Sequence, residues 1–75
     1  MKLIEEIKEK YSQAPFEYKV EKIDEYDYSF HSLYINDKCI ISVAEGYEPT
    51  TGKEKNEIYL MVETNLREHY PKLKF

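Results

Sequence analysis

The sequence predicts an α+β fold: an N-terminal helix packed on a four-stranded antiparallel β-meander, followed by a short C-terminal helix or tail. Three observations carry this prediction. Leu3, Ile4, Ile7 and Tyr11 recur at helical spacing near the N-terminus. After Pro15 the apolar period drops from about 3.6 to about 2. The later apolar runs are then separated by short stretches rich in turn-forming residues. In a chain of 75 residues, strands joined by short hairpins are favoured over crossovers.

In MKLIEEIKEK the apolar stripe is backed by Glu5 with Lys8 and Glu6 with Lys10, pairs that support a helix from its solvent side. The helix should end near Ser12, because Ala14 precedes Pro15 and is pushed towards extended backbone. Phe16, Tyr18 and Val20 then alternate with Glu17, Lys19 and Glu21, and Tyr26, Tyr28 and Phe30 alternate with Glu25, Asp27 and Ser29. Two strands follow, each with one wet face and with its aromatic residues turned to the core. Leu33 and Ile35 fall out of phase with residues 26–30, which predicts a bulge at His31 and Ser32.

Asn36 and Asp37 tolerate positive φ and suit a tight turn into a third strand, CIISVAEGYE. Residues 46–56 read as the tip of a longer hairpin turning near Thr51 and Gly52, with EIYLMVET returning as the fourth strand. Ile58, Met61, Val62, Asn65, Leu66 and His69 also share one helical face, with Asn56 available as a cap. The strand reading is preferred up to Thr64, followed by a short helix capped by Asn65 and ended by Pro71.

Residues 1–75 read as a single small domain, near the size at which one core supplies only about 3–5 kcal/mol of net stability. Cys39 is the only cysteine, so no internal disulfide forms, and no Cys/His spacing suits a structural zinc. Eight Tyr, three Phe and no Trp mean that phenol rings supply much of the large apolar area, and their hydroxyls need water or a partner. Glu5, Glu6 and Glu9 stand where a signal peptide needs an uncharged run, and no stretch approaches the roughly 18 apolar residues of a membrane span. A soluble, cytoplasmic protein with no membrane partner is expected.

The net charge is −4, concentrated in residues 25–63, where three Lys face eight acids. The single arginine, Arg67, argues against direct binding to nucleic acid, which leans on guanidinium forks and clustered basic residues. GYEPTTGKE resembles a phosphate-binding loop but separates Gly46 from Gly52 by five residues where four are needed, and it places Glu54 where a magnesium-binding Ser or Thr belongs. A hairpin tip between two antiparallel strands is the expected context. Cys39, beside Ile40 and Ile41 and facing the core, is expected to be an inert structural thiol, and His31 a bulge or surface residue. The acids near the long hairpin lack the spacing of a calcium loop. No catalytic residue, cofactor or metal is expected, and the protein is read as non-enzymatic.

What remains is a surface. Side chains two apart on a strand face are spaced roughly 6.6–6.8 Å, about twice the roughly 3.4 Å axial rise per nucleotide of one DNA strand. Rows of carboxylates with Tyr rings between them therefore imitate phosphates and bases towards a protein that grips nucleic acid. The residues expected to meet such a partner are Glu25, Asp27, Glu45, Tyr47, Glu48, Glu54, Glu57 and Tyr59. In size, charge and composition the chain resembles the small, acidic, Tyr-rich proteins that phages and mobile elements use against host or defence machinery, such as anti-CRISPR proteins and inhibitors of uracil-DNA glycosylase. That resemblance implies a small inhibitor, a monomer or weak homodimer, that occludes a basic nucleic-acid-binding surface of a larger protein. The alternative is a small structural or assembly protein that self-associates through a sheet edge or its Tyr-rich face.

Overall fold

The computed structural model describes residues 1–25 and 27–74. Among these, the order of elements is α1 (Lys2–Lys10), β1 (Glu17–Ile23), β2 (Tyr28–Ile35), β3 (Lys38–Ala44) and α2 (Gly52–His69). The strands form one antiparallel meander in the order β1-β2-β3. Both helices cover the same face of that sheet. Leu3, Ile4 and Ile7 from α1 and Ile58, Val62 and Leu66 from α2 close over Leu33, Ile35, Ile40 and Ile41. Burying each such side chain contributes roughly 1.5–3 kcal/mol.

The α+β class holds, but three strands are found where four were expected. Residues 57–64 lie inside α2, a helix of 18 residues. Ile58, Leu60 and Val62 satisfy a period of 2 on paper. In space Ile58, Val62 and Leu66 are buried four residues apart, whereas Leu60 and Met61 are 61% and 52% exposed. The helix begins where a hairpin turn was expected. Thr51 is its N-cap, accepting the backbone N–H of Glu54 at 3.1 Å. Glu54 in turn accepts from the Thr50 N–H at 3.1 Å and the Thr50 hydroxyl at 2.9 Å, so its carboxylate fills the helix start. Asn65 lies within the helix and caps nothing.

The expected bulge at His31 and Ser32 is also corrected. β2 runs in regular register past both residues, with His31 opposite Val20 on one side and Val43 on the other. The shift falls further along, between Leu33, paired with Ile41, and Tyr34, paired with Cys39, which leaves Ile40 as the extra residue of β3. Ile40 and Ile41 are both buried, at 1% and 4% exposure. The Asn65 side-chain amide donates to the Ile40 carbonyl at 2.8 Å, occupying an acceptor at the irregular step of the ladder.

This register decides which side chains meet the helices. His31, Leu33 and Ile35 share the covered face of β2, while Phe30, Ser32 and Tyr34 share the open face. Tyr28 and Phe30 therefore turn away from the helices, contrary to the core-facing expectation, and their rings meet edge to face with centroids 5.5 Å apart. Tyr26, assigned to the same strand, lies outside the described residues. The bulge also flips Cys39 onto the open face, where it is exposed and not buried beside the isoleucines.

α1 and α2 run in the same direction and are tied at two levels. Lys55 Nζ, in the first turn of α2, lies 2.6 Å from Glu6 Oε2 at the middle of α1. The Tyr11 hydroxyl donates to Glu63 Oε2 at 2.6 Å near the end of α1. β1 has no such cover. Six of its seven residues are exposed, and α1 reaches it through Lys8 Nζ, 5.7 Å from the Tyr18 ring centroid. Among the described residues no helix is long and apolar enough to cross a membrane.

Candidate functional site

A meander returns alternate connections to the same end of the sheet. The β1–β2 turn and the β3–α2 loop therefore lie together, joined where Glu45 N donates to the Ser29 carbonyl at 2.7 Å. Asp27 takes φ +52° in the turn and Gly46 φ +82° in the loop, left-handed backbone that Asp tolerates and Gly adopts freely. Glu25, Asp27, Glu45 and Glu48 are all exposed at this end. Met1 and Lys2 border the same cavity as Glu45 and Glu48. Lys38, Arg67, Lys72 and Lys74 fall at or beyond the other end, where α2 finishes and β3 begins.

Of the other residues expected to meet a partner, Tyr47, Glu54 and Tyr59 have internal contacts. The Tyr47 hydroxyl donates to Glu54, the carboxylate that also takes the two Thr50 hydrogen bonds. These bonds hold Glu54 below the usual carboxylate range, the Tyr47 bond first and the Thr50 N–H and hydroxyl after it. The same contact pushes the Tyr47 phenol up. Glu57 is exposed on α2. Tyr59 is half-buried between the helices, edge-on to Tyr11 at 6.3 Å, with Lys10 Nζ 5.0 Å from its ring centroid. The fold thus gathers Glu25, Asp27, Glu45 and Glu48 at one end, fixes Tyr47 and Glu54 behind them, and leaves Glu57 and Tyr59 along α2.

Beside this acidic end lies His31, which was expected in a bulge or at the surface. His31 is 7% exposed, with Nδ1 hydrogen-bonded to the Tyr18 hydroxyl and the two rings stacked at 5.8 Å. Its Nε2 lies 3.5 Å from Glu45 Oε1, close enough for attraction but not aligned as a hydrogen bond. His31 lines a cavity of about 190 Å³ together with Met1, Lys2, Glu45, Tyr47 and Glu48. The available signal was parity: His31 shares its odd number with Leu33 and Ile35, so a bulge-free β2 puts it on the covered face.

His31 and Cys39 lie on opposite faces of the sheet, so they cannot act as a base and nucleophile on one substrate. Among the described residues no three His, Cys, Asp or Glu side chains gather as metal ligands. GYEPTTGKE does sit between a strand and a helix, which corrects the expected hairpin context. At that helix start the Thr51 hydroxyl already takes the Glu54 N–H, and the Glu54 carboxylate takes the Thr50 N–H and brings a negative charge that repels a phosphate. Two further surfaces stand out. One is an apolar groove of about 290 Å³ between β3 and α2, lined by Ile41, Val43, Ala44, Tyr47, Ile58 and Met61. The other is the open sheet face, where Lys19 Nζ sits 4.6 Å from the Tyr34 ring centroid.

No known family model matches the chain, and no curated protein or solved structure is significantly similar to it.

Proposed function

We propose that this is a non-enzymatic protein-binding module whose acidic end occludes a basic, nucleic-acid-binding surface of a larger protein. The observation that supports it is the convergence of Glu25 and Asp27 from one connection with Glu45 and Glu48 from another. All four are exposed, and the loop that carries two of them is braced by Tyr47 and Glu54. Exposed carboxylates gathered at one end steer a cationic partner and help to orient it, while affinity comes from whatever apolar contact is buried beside them. The surface along α2 adjoins it, with Glu57 and Tyr59 on opposite flanks of the helix, either side of the buried Ile58.

The test is capture from a host lysate at low salt by the wild-type chain and by a triple variant, Glu25→Lys, Asp27→Lys and Glu48→Lys. The expected result is a nucleic-acid-binding protein that the wild type retains, that salt or added nucleic acid releases, and that the variant fails to hold. A partner held equally by both chains and indifferent to salt and nucleic acid overturns the proposal, because exposed charges are screened over about 8–10 Å at physiological salt.

A further inference from the structure

β1 is the outer strand of the sheet, and its outward edge pairs with no strand among the described residues. The N–H and C=O groups along that edge are a template for another strand. Val20 is 55% exposed and Tyr18 37%, so two large apolar side chains stand on this bare strand. We propose that the protein forms a two-fold homodimer in which β1 pairs antiparallel with β1 of a second copy, centred on Val20.

The charge order along EYKVEKI selects both the occupant and the register. In a two-fold pairing centred on Val20, Val20 meets its own copy, Lys19 faces Glu21, Tyr18 faces Lys22 and Glu17 faces Ile23, each pair occurring twice. Opposite charges directly across antiparallel strands attract, and like charges repel. Centring on Lys19 sets Lys19 against itself and Glu17 against Glu21. Centring on Glu21 or Lys22 likewise sets that residue against itself. Centring on Tyr18 keeps Glu17 opposite Lys19 but overlaps only residues 17–19 of the strand. Val20 is the one centre that uses all of Glu17–Ile23 and opposes no like charges.

The geometry of the strand fits this pairing. Lys19 and Glu21 lie on the open face with Tyr34 and Phe30, whereas Tyr18, Val20 and Lys22 lie on the helix side. A two-fold axis perpendicular to the sheet keeps both pairs of helices on one side and joins the two meanders into one continuous sheet. Val20 is then covered by its copy and flanked by the Tyr18 rings and the aliphatic stems of Lys22. The same charges discourage pairing with unrelated edges, since a strand without the complementary order meets unpaired Lys and Glu. This surface is separate from the acidic end, so failure of either reading leaves the other standing.

Analytical ultracentrifugation of the full chain over a range of concentrations tests the dimer, using wild type, Lys19→Glu, and the exchange Lys19→Glu with Glu21→Lys. Circular dichroism checks that each variant remains folded. The expected result is a reversible monomer–dimer equilibrium for wild type that weakens with salt. Lys19→Glu should raise the dissociation constant about tenfold by turning two attractions into repulsions, and the exchange should return it to near the wild-type value. A wild-type monomer at millimolar concentration, open-ended assembly, or a folded Lys19→Glu variant that dimerises as tightly as wild type overturns the proposal. Failure of the folded exchange variant to recover does so as well.

Discussion

β1 and β3 are strands of equal length at the two edges of one sheet, and they are held in different ways. β3 carries Ile40 and Ile41 into the helix layer, accepts the Asn65 amide at its bulge, and is overlaid by α2. β1 sends Tyr18, Val20 and Lys22 towards the helix side and finds little there: six of its seven residues are exposed. The ladder to β2 is what secures β1, together with the Tyr18–His31 contact. Alternating apolar residues therefore say which face a strand turns inward, not whether anything covers that face. Cover is decided by where the helices land, and two helices of 9 and 18 residues leave one edge of a three-stranded sheet bare.

The contrast is broken most sharply by substitutions under the helices. Leu66→Ala removes a side chain with 0% exposure at the α2–sheet contact, which costs about 2–5 kcal/mol, enough to unfold much of a domain this size. Val20→Ala, at a residue 55% exposed, should cost well under about 1 kcal/mol in dilute solution. Urea unfolding of both variants at low concentration measures the difference, and comparable losses would mean that β1 is packed like β3. Next in size is Asn65→Ala, which strips the bulge carbonyl of its donor and should cost about 1–3 kcal/mol.

A smaller effect distinguishes the acidic end. Glu54 lies below its ordinary value of 4.5 because it is hydrogen-bonded as a carboxylate, so its contribution to stability is present above that value and is lost as pH falls through the lowered one. Glu6 behaves in the same way through its bond to Lys55. Glu54→Gln should therefore flatten the acid limb of a stability–pH profile while changing little near neutrality beyond the lost bonds. An acid limb of unchanged slope would mean that the Tyr47–Glu54–Thr50 network does not persist in solution. Smallest in energy is Cys39, which is exposed on the open face. It should react with a thiol reagent almost as fast in the native protein as after denaturation; strong native protection would place it back among the isoleucines.

Much of this fold was legible in the residues. The stripe of Leu3, Ile4 and Ile7 and the stop at Pro15 marked α1, and Asn36 and Asp37, both with positive φ, marked the β2–β3 turn. What misled was a tie of periods in EIYLMVET, where residues two apart and four apart are both apolar. Thr51 and Glu54, three residues apart, were the signal that breaks the tie, hidden because Pro49, Thr50 and Gly52 around them also suit a turn. The bulge at Ile40 was not legible, since CII has no alternation to interrupt and the shift is anchored by Asn65, which is 25 residues away. Of the candidate contacts, the acids in the connections were readable as exposed. The tie between Tyr47 and Glu54 was not, because it requires knowing that α2 begins at Gly52.

Hydrogen exchange followed amide by amide, at low and high protein concentration, tests most directly the claim that β1 is the unfinished edge of the molecule. In dilute solution the outward-pointing amides of Glu17–Ile23 should exchange far faster than those of β2, which is paired on both sides. At high concentration these β1 amides should slow markedly while those of β2 change little, as a second copy takes up the free edge. β1 amides that exchange alike at every concentration, or that are as protected as those of β2 in dilute solution, would contradict it.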